Sequence, residues 1–411
     1  MSQQGPVIVV SSGAKPAFTA AFSQTKIFPL IEIDWPDAAR AVEQLQPAAV
    51  IVAMSADIEP RFGAFAGQIA ASELYVPLIV INPGPALPAN AIPFAQTGGD
   101  FERLNARLRA ALRVRTLHTT VLRRLPGDVT SRIRPKESDP AQDATALLIG
   151  RGASYPALSV ALGERMGVVG ALSIEAAAKH LNVRDLDGIV LGEGFSPRVV
   201  DAFLTVLAED VRFRNLPVIV TGDGLTPAYD LPNLELISGD PVRVAVNALP
   251  LIRQHALDVH LSRTLKSIDA GGLLDARTGL LTLAAFNRDF ATAVYQAQVC
   301  GGGLSVARFA FDPNHPRAQL DGARIISRLM RRMDFGAIQG DGSVVAVFAE
   351  TDLRTAHMIA RRLYSVMKHT TNGSRREARI EPAVTLATLL PSDSAKSILA
   401  RLTGESRRAA S

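Results

Sequence analysis

Two long stretches of this chain repeat one pattern, in which short apolar runs alternate with helical ones. In residues 1–122 the apolar runs are Pro6–Val10, Ala48–Met54 and Val76–Asn82. Helical periodicity covers Trp35–Leu45 and runs from Asp100 to about Leu125. Residues 143–262 do the same. Ala144–Ile149, Val168–Ala171, Gly188–Leu191, Val218–Thr221 and Leu234–Ile237 read as strands. Helices cover Ile174–Leu181, Val199–Ala208 and a last run to about Leu265. Such a duplication of strand–helix units predicts two α/β domains, each a parallel sheet flanked by helices, over 1–125 and 143–265. Between the copies, 126–142 is polar and rich in Pro, Asp and Ser, as a linker should be.

Residues 268–404 follow another order: helix, strand, helix, hairpin, helix, strand. A helix begins near Thr282 and carries Phe286, Asn287, Arg288 and Phe290, and Leu304–Asp312 reads as an apolar strand. Val344–Phe348 completes a hairpin-like run, and Arg354–Met367 places Ala356, Ile359, Ala360, Leu363 and Met367 at helical spacing. Pro382–Ala387 is a last strand. Three strings stand out in this frame: Asp275-Ala276-Arg277-Thr278-Gly279-Leu280, Arg331-Arg332-Met333-Asp334, and Gly340-Asp341-Gly342-Ser343-Val344. In this order they resemble a GGDEF domain, the α+β, nucleotidyl-cyclase-like fold of the diguanylate cyclases. That family opens on D-x-L-T-G-L and places an R-x-x-D inhibitory motif five residues before a G-G-[DE]-E-F signature.

The resemblance implies that catalysis is lost. Cyclising two GTP molecules needs a divalent metal to neutralise phosphate charge, and magnesium needs hard oxygen ligands. With Asp312 on the second Asp of the family's D-x-D strand, Ala310 falls on the first, the metal ligand. The acidic positions of the signature become Gly342 and Ser343. Pro313–Arg317 replaces the guanine-gripping loop, and the family's terminal basic segment has no counterpart before Ser411. The expectation is a degenerate cyclase with no catalytic residue, metal or cofactor.

The R-x-x-D site, by contrast, is kept. Arg pairs well with phosphate or with the Hoogsteen edge of guanine, and a carboxylate accepts from guanine N–H groups. Arg331 and Asp334 therefore suit cyclic di-GMP. Arg362 matches the family's further Arg on the helix after the signature, and Arg332 is a fourth candidate ligand residue. The family often borrows one more Arg from elsewhere, for which Arg151 and Arg184 are candidates. A plainer reading also fits the residues alone: Arg328, Arg331 and Arg332 as the solvated basic end of a helix.

The two βα copies resemble response-regulator receiver domains, a flavodoxin-like, doubly wound fold, so the whole has the receiver–receiver–GGDEF arrangement of PleD-type regulators. The receiver chemistry is missing. Ser11-Ser12 and Gly150-Arg151 replace the acidic pairs, and Ala53 and Gly192 occupy the phosphoacceptor positions. Thr221 keeps a hydroxyl position, but no Lys follows Leu234–Ile237. Asp57 and Glu193, the nearest carboxylates, are out of register and read as ordinary surface acids. The resemblance implies a cytoplasmic, homodimeric cyclic di-GMP adaptor, placed at a cell pole, whose pseudo-receivers dock protein partners. A weakly active cyclase and a ligand-free scaffold remain the alternatives.

Composition narrows the rest. A chain of 411 residues suits about three domains. Its apolar runs are too short to cross a membrane, and the N-terminus is expected to enter a strand without a signal peptide. One cysteine, Cys300, excludes a disulfide framework and a Cys-rich metal site. The net charge of +5 is modest, and no zinc finger or helix-turn-helix is present, so nucleic acid is not an expected partner.

Overall fold

The computed structural model describes residues 5–13, 15–25, 29–84, 87–96, 101–125, 139–222, 229–300, 302–368 and 380–404. The expected linker lies outside the described residues up to position 138. The chain divides into two compact units. One comprises Met1–Ala177 with Leu186–Leu261, the other Ala178–Asp185 with Ser262–Ser411.

The first unit holds two sheets. One uses β1 (Val7–Ser11), α1 (Ala17–Thr25), β2 (Leu30–Asp34), α2 (Ala38–Leu45), β3 (Ala49–Ala53), α3 (Glu59–Ala70), β4 (Leu78–Ile81), β5 (Ala91–Phe94) and α4 (Phe101–Arg124). Its strands are parallel in the order β2-β1-β3-β4-β5. The other uses β6 (Thr145–Ile149), α5 (Tyr155–Gly163), β7 (Gly167–Ala171), α6 (Ile174–Val183), β8 (Gly188–Leu191), α7 (Pro197–Glu209), β9 (Val218–Val220), β10 (Leu234–Leu236) and α8 (Pro241–Asp269). Its order, β7-β6-β8-β9-β10, repeats the first. This is the flavodoxin-like, doubly wound order, in which ligands bind outside the carboxyl ends of the strands. In both copies no helix separates the fourth and fifth strands among the described residues.

The apolar runs are continuous because both faces of each sheet are covered. Along β1, Ile8 and Val10 join one core cluster with α2 and α3, while Val7 and Val9 join another with α1 and α4. The pattern hid several elements. β5 contains Pro93, which a central strand excludes; β5 pairs only with β4, so its other edge is free of ladder bonds in this sheet. α3 contains Pro60, Gly63 and Gly67, yet Pro60 lies in the first turn, where no amide donor is needed.

A buried ion pair joins the two copies inside this unit. Arg107 of α4 is fully buried. It donates to Glu235 Oε1 of β10 at 2.9 Å and to the carbonyls of Pro93 and Leu234 at 2.7 and 3.0 Å. Glu235 also accepts from the Ala95 amide.

The second unit is built from α9 (Leu283–Cys300), β11 (Leu304–Ala310), α10 (Pro316–Leu329), β12 (Phe335–Ile338), β13 (Val344–Ala349), α11 (Leu353–Lys368), β14 (Ala383–Thr388) and α12 (Ala395–Thr403). Its sheet is antiparallel, in the order β12-β13-β11-β14. Alternate residues of β11 serve two cores: Ala307 and Phe309 face α10 and α11, while Leu304 and Val306 face α9 and α12. α12 follows the last expected strand and was not legible as an element.

Candidate functional site

The turn after α10 collects the residues picked out by the R-x-x-D string. α10 stops at Leu329, where Met330 takes an extended conformation and redirects the chain. Arg331 and Asp334 then close a loop on each other. The Asp334 amide donates to the Arg331 carbonyl at 3.0 Å, and the Arg331 amide donates to Asp334 Oδ2 at 3.2 Å. Asp334 is 8% exposed, and its Oδ1 has no hydrogen-bond partner among the described residues. Burial pushes this carboxyl above the usual range, against the amides of Arg331 and Ala349 and the charge of Arg331.

Arg362 arrives from α11. Its Nη2 donates to the carbonyl of Leu329 at 3.3 Å, beside the same turn. Arg331, Arg332 and Arg362 are all exposed. The structure thus joins Arg331 and Asp334 in one turn, with exposed Arg332 between them in sequence, and brings Arg362 to the carbonyl of Leu329, two residues before Arg331. Arg184, a candidate for a borrowed Arg, is committed elsewhere. It is buried and donates to the carbonyl of Val366 at 3.1 Å, and burial lowers its pKa to about 10 despite Asp321. Arg151 lies over the ring of Phe195, 4.9 Å from its centroid.

The Gly340–Val344 string forms the tip of the β12–β13 hairpin. Gly342 sits at φ +78°, where a side chain would be strained and would collide with Gln319. Gln319 of α10 donates to the Gly342 carbonyl. Asp341 accepts from the hydroxyl and amide of Ser343 at 2.6 and 2.9 Å. Arg308 of β11 clamps the tip, donating to Asp341 Oδ2 at 2.6 Å and to Ser343 Oγ at 3.1 Å. Burial raises the Asp341 pKa, but Ser343 and Arg308 outweigh it and hold the group at about 2. Sequence reasoning missed Arg308 and Gln319. The available signal was a cation inside the apolar strand, two residues before Ala310.

Ala310 is the last residue of β11, paired with Ala383. Asp312 is spent on the turn into α10. It accepts from the Asn314 amide at 2.9 Å and contacts His315 Nδ1 at 3.0 Å. Among the described residues, no group of three His, Cys, Asp or Glu stands where it could hold a metal ion. At the hairpin tip the Asp341 carboxylate is engaged by the Arg308 guanidinium and the Ser343 hydroxyl.

In the first unit, Ala53 ends β3 and Gly192 directly follows β8, both at carboxyl ends of strands. Asp57 is exposed, and its Oδ2 accepts from Ser12 Oγ at 3.3 Å. Glu193 folds over the loop after β6, with its carbonyl accepting from the amides of Arg151 and Gly152. Thr221 Oγ1 donates to the Leu191 carbonyl at 3.4 Å. No helix among the described residues is long and apolar enough to cross a membrane.

No protein-family model and no curated protein matches this sequence. Solved structures similar to part of it are GGDEF domains. The coiled coil and GGDEF domain of DgcB from Caulobacter crescentus, solved in complex with c-di-GMP, is 17% identical over 35% of this chain and 83% of its own, with a TM-score of 0.27. The GGDEF domain of FimX from Pseudomonas aeruginosa is 18% identical over 32% and 90%, with a TM-score of 0.28. A sensory box/GGDEF family protein from Caulobacter crescentus is 19% identical over 32% and 94%, with a TM-score of 0.27.

Proposed function

We propose that the second unit is a degenerate GGDEF domain that binds cyclic di-GMP through Arg331, Asp334, Arg362 and Arg332 and makes none. The observation that carries this reading is the turn after α10. There a buried carboxylate with an unpartnered oxygen stands beside exposed guanidinium groups from two elements. A guanine can donate to Asp334 while phosphate or a Hoogsteen edge takes the Arg groups. Arg308 and Gln319 at the hairpin tip, and Ala310 on β11, support the loss of metal-dependent cyclisation. The two βα copies are then pseudo-receivers. Their strand order supports this reading, and Ala53 and Gly192 leave them without a phosphoacceptor. With ligand binding as its output, the chain acts as a PopA-like cytoplasmic adaptor and homodimer that docks protein partners. Calorimetry with cyclic di-GMP on the native chain and Arg331→Ala tests this. Binding by the native chain alone is expected; equal binding by both, or none by either, overturns it.

A further inference from the structure

We propose that a cleft in the first unit, walled by α3, β5 and α8, binds a small, uncharged, largely apolar molecule bearing one hydrogen-bond acceptor, such as an aromatic ketone. The cleft encloses about 610 Å³, within the range of small-molecule sites. Ile69, Ile92 and Leu257 supply its apolar walls. At its polar end stands Gln254, 8% exposed, whose Nε2 has no hydrogen-bond partner among the described residues. Buried amide donors are nearly always satisfied, so a missing partner marks a place for an external acceptor.

Tyr75 lies beside it and is fixed from α4. Its amide donates to His118 Nδ1 at 3.2 Å, and its carbonyl accepts from Arg115 at 2.9 Å. Gln254 comes close enough to bias the Tyr75 proton, yet stays outside hydrogen-bond geometry. Burial raises the Tyr75 pKa, which keeps the phenol a neutral donor. Charge selects against ions. The cation lining the cleft, Arg253, is already paired with Asp139 at 2.9 Å. The ligand's polar atom is therefore an uncharged acceptor facing two neutral donors.

Titration of the full chain with prodan, a fluorescent naphthyl ketone, tests the site. The expected result is saturable binding of one molecule per chain with blue-shifted emission. Ala70→Trp and Ala89→Trp, which fill the cleft from its rim, should each abolish saturation while the far-ultraviolet circular dichroism stays native. Gln254→Leu should weaken binding about 3- to 10-fold and shift emission further to the blue, as one neutral hydrogen bond is lost. No saturable binding by the native chain, or saturation persisting in a folded rim variant, overturns the site. Unchanged affinity and emission in Gln254→Leu overturns its acceptor specificity. None of these readouts involves cyclic di-GMP, so failure here leaves the reading of the second unit untouched.

Discussion

The guanidinium of Arg308 stands 2.6 Å from the carboxylate of Asp341, so the acid at the β12–β13 tip already holds a cation supplied by the neighbouring strand. Magnesium should therefore leave the melting temperature of the chain unchanged, and incubation with GTP and magnesium should yield no cyclic di-GMP. The pair also has a pH signature. The folded pKa of Asp341, about 2, lies below its reference of 3.8, so its stabilisation is full above pH 3.8 and fades as pH falls toward 2. Asp341→Asn should cost about 1 kcal/mol at pH 7, a charge-assisted bond discounted for its exposed acid, and should flatten that acid limb in urea unfolding.

Asp334 works in the opposite sense. Its folded pKa is raised above 3.8, so stability falls as pH rises through the window above that value, and the ionised group costs stability at neutral pH. Asp334→Asn should raise the melting temperature while weakening cyclic di-GMP binding roughly 10- to 100-fold, the loss of a hydrogen bond to a charged group. A variant that binds as tightly as the native chain would remove Asp334 from the site.

Arg362 tests the same site from α11. It is exposed and makes one bond to the Leu329 carbonyl, so Arg362→Ala should leave the melting temperature within about a degree, as for most surface changes. Ligand affinity should fall roughly tenfold or more. A basic helix end with no ligand role predicts no change in calorimetry.

The buried Arg107–Glu235 pair ties the two sheets of the first unit. Removing Arg107 leaves Glu235 only the more distant Arg103, 4.0 Å away, so Arg107→Ala should cost about 3 kcal/mol in urea unfolding, the low end for breaking a buried pair. The double replacement Arg107→Leu with Glu235→Leu should cost less, because the cation left behind, Arg103, still donates to the carbonyls of Ala95 and Leu234.

His118 is buried, its Nδ1 accepts from the Tyr75 amide, and burial and Arg115 both lower its pKa below 6.5. The unfolded chain then binds more protons at mildly acid pH, so stability falls as pH drops below 6.5 toward the folded value. The melting temperature should decline between pH 7.5 and 5.5 by less in His118→Gln than in the native chain; equal slopes would exclude the histidine.

How much was legible depended on how local each feature is. Fully apolar runs such as Ala48–Met54 announced buried parallel strands, because side chains covered on both faces leave no polar register. β5 escaped because Pro93 argues against a strand until its edge position is known. Cys300 ends helix α9, and its side chain lies outside the described residues. The bond between Asp57 and Ser12 joins loops after two different strands, a pairing that spacing along the chain does not reveal.

By itself the sequence determined the long apolar strands, the R-x-x-D string and the residue types at Ala310, Gly342 and Ser343. Those are properties of residue type and spacing along one chain. Only the tertiary structure decided that Arg362 reaches the carbonyl of Leu329, that Arg184 is spent on Val366, and that Arg308 closes the hairpin tip. Each of these joins residues far apart in sequence. Which guanidinium stays exposed and which is consumed depends on the carbonyls and carboxylates that packing brings within hydrogen-bond reach.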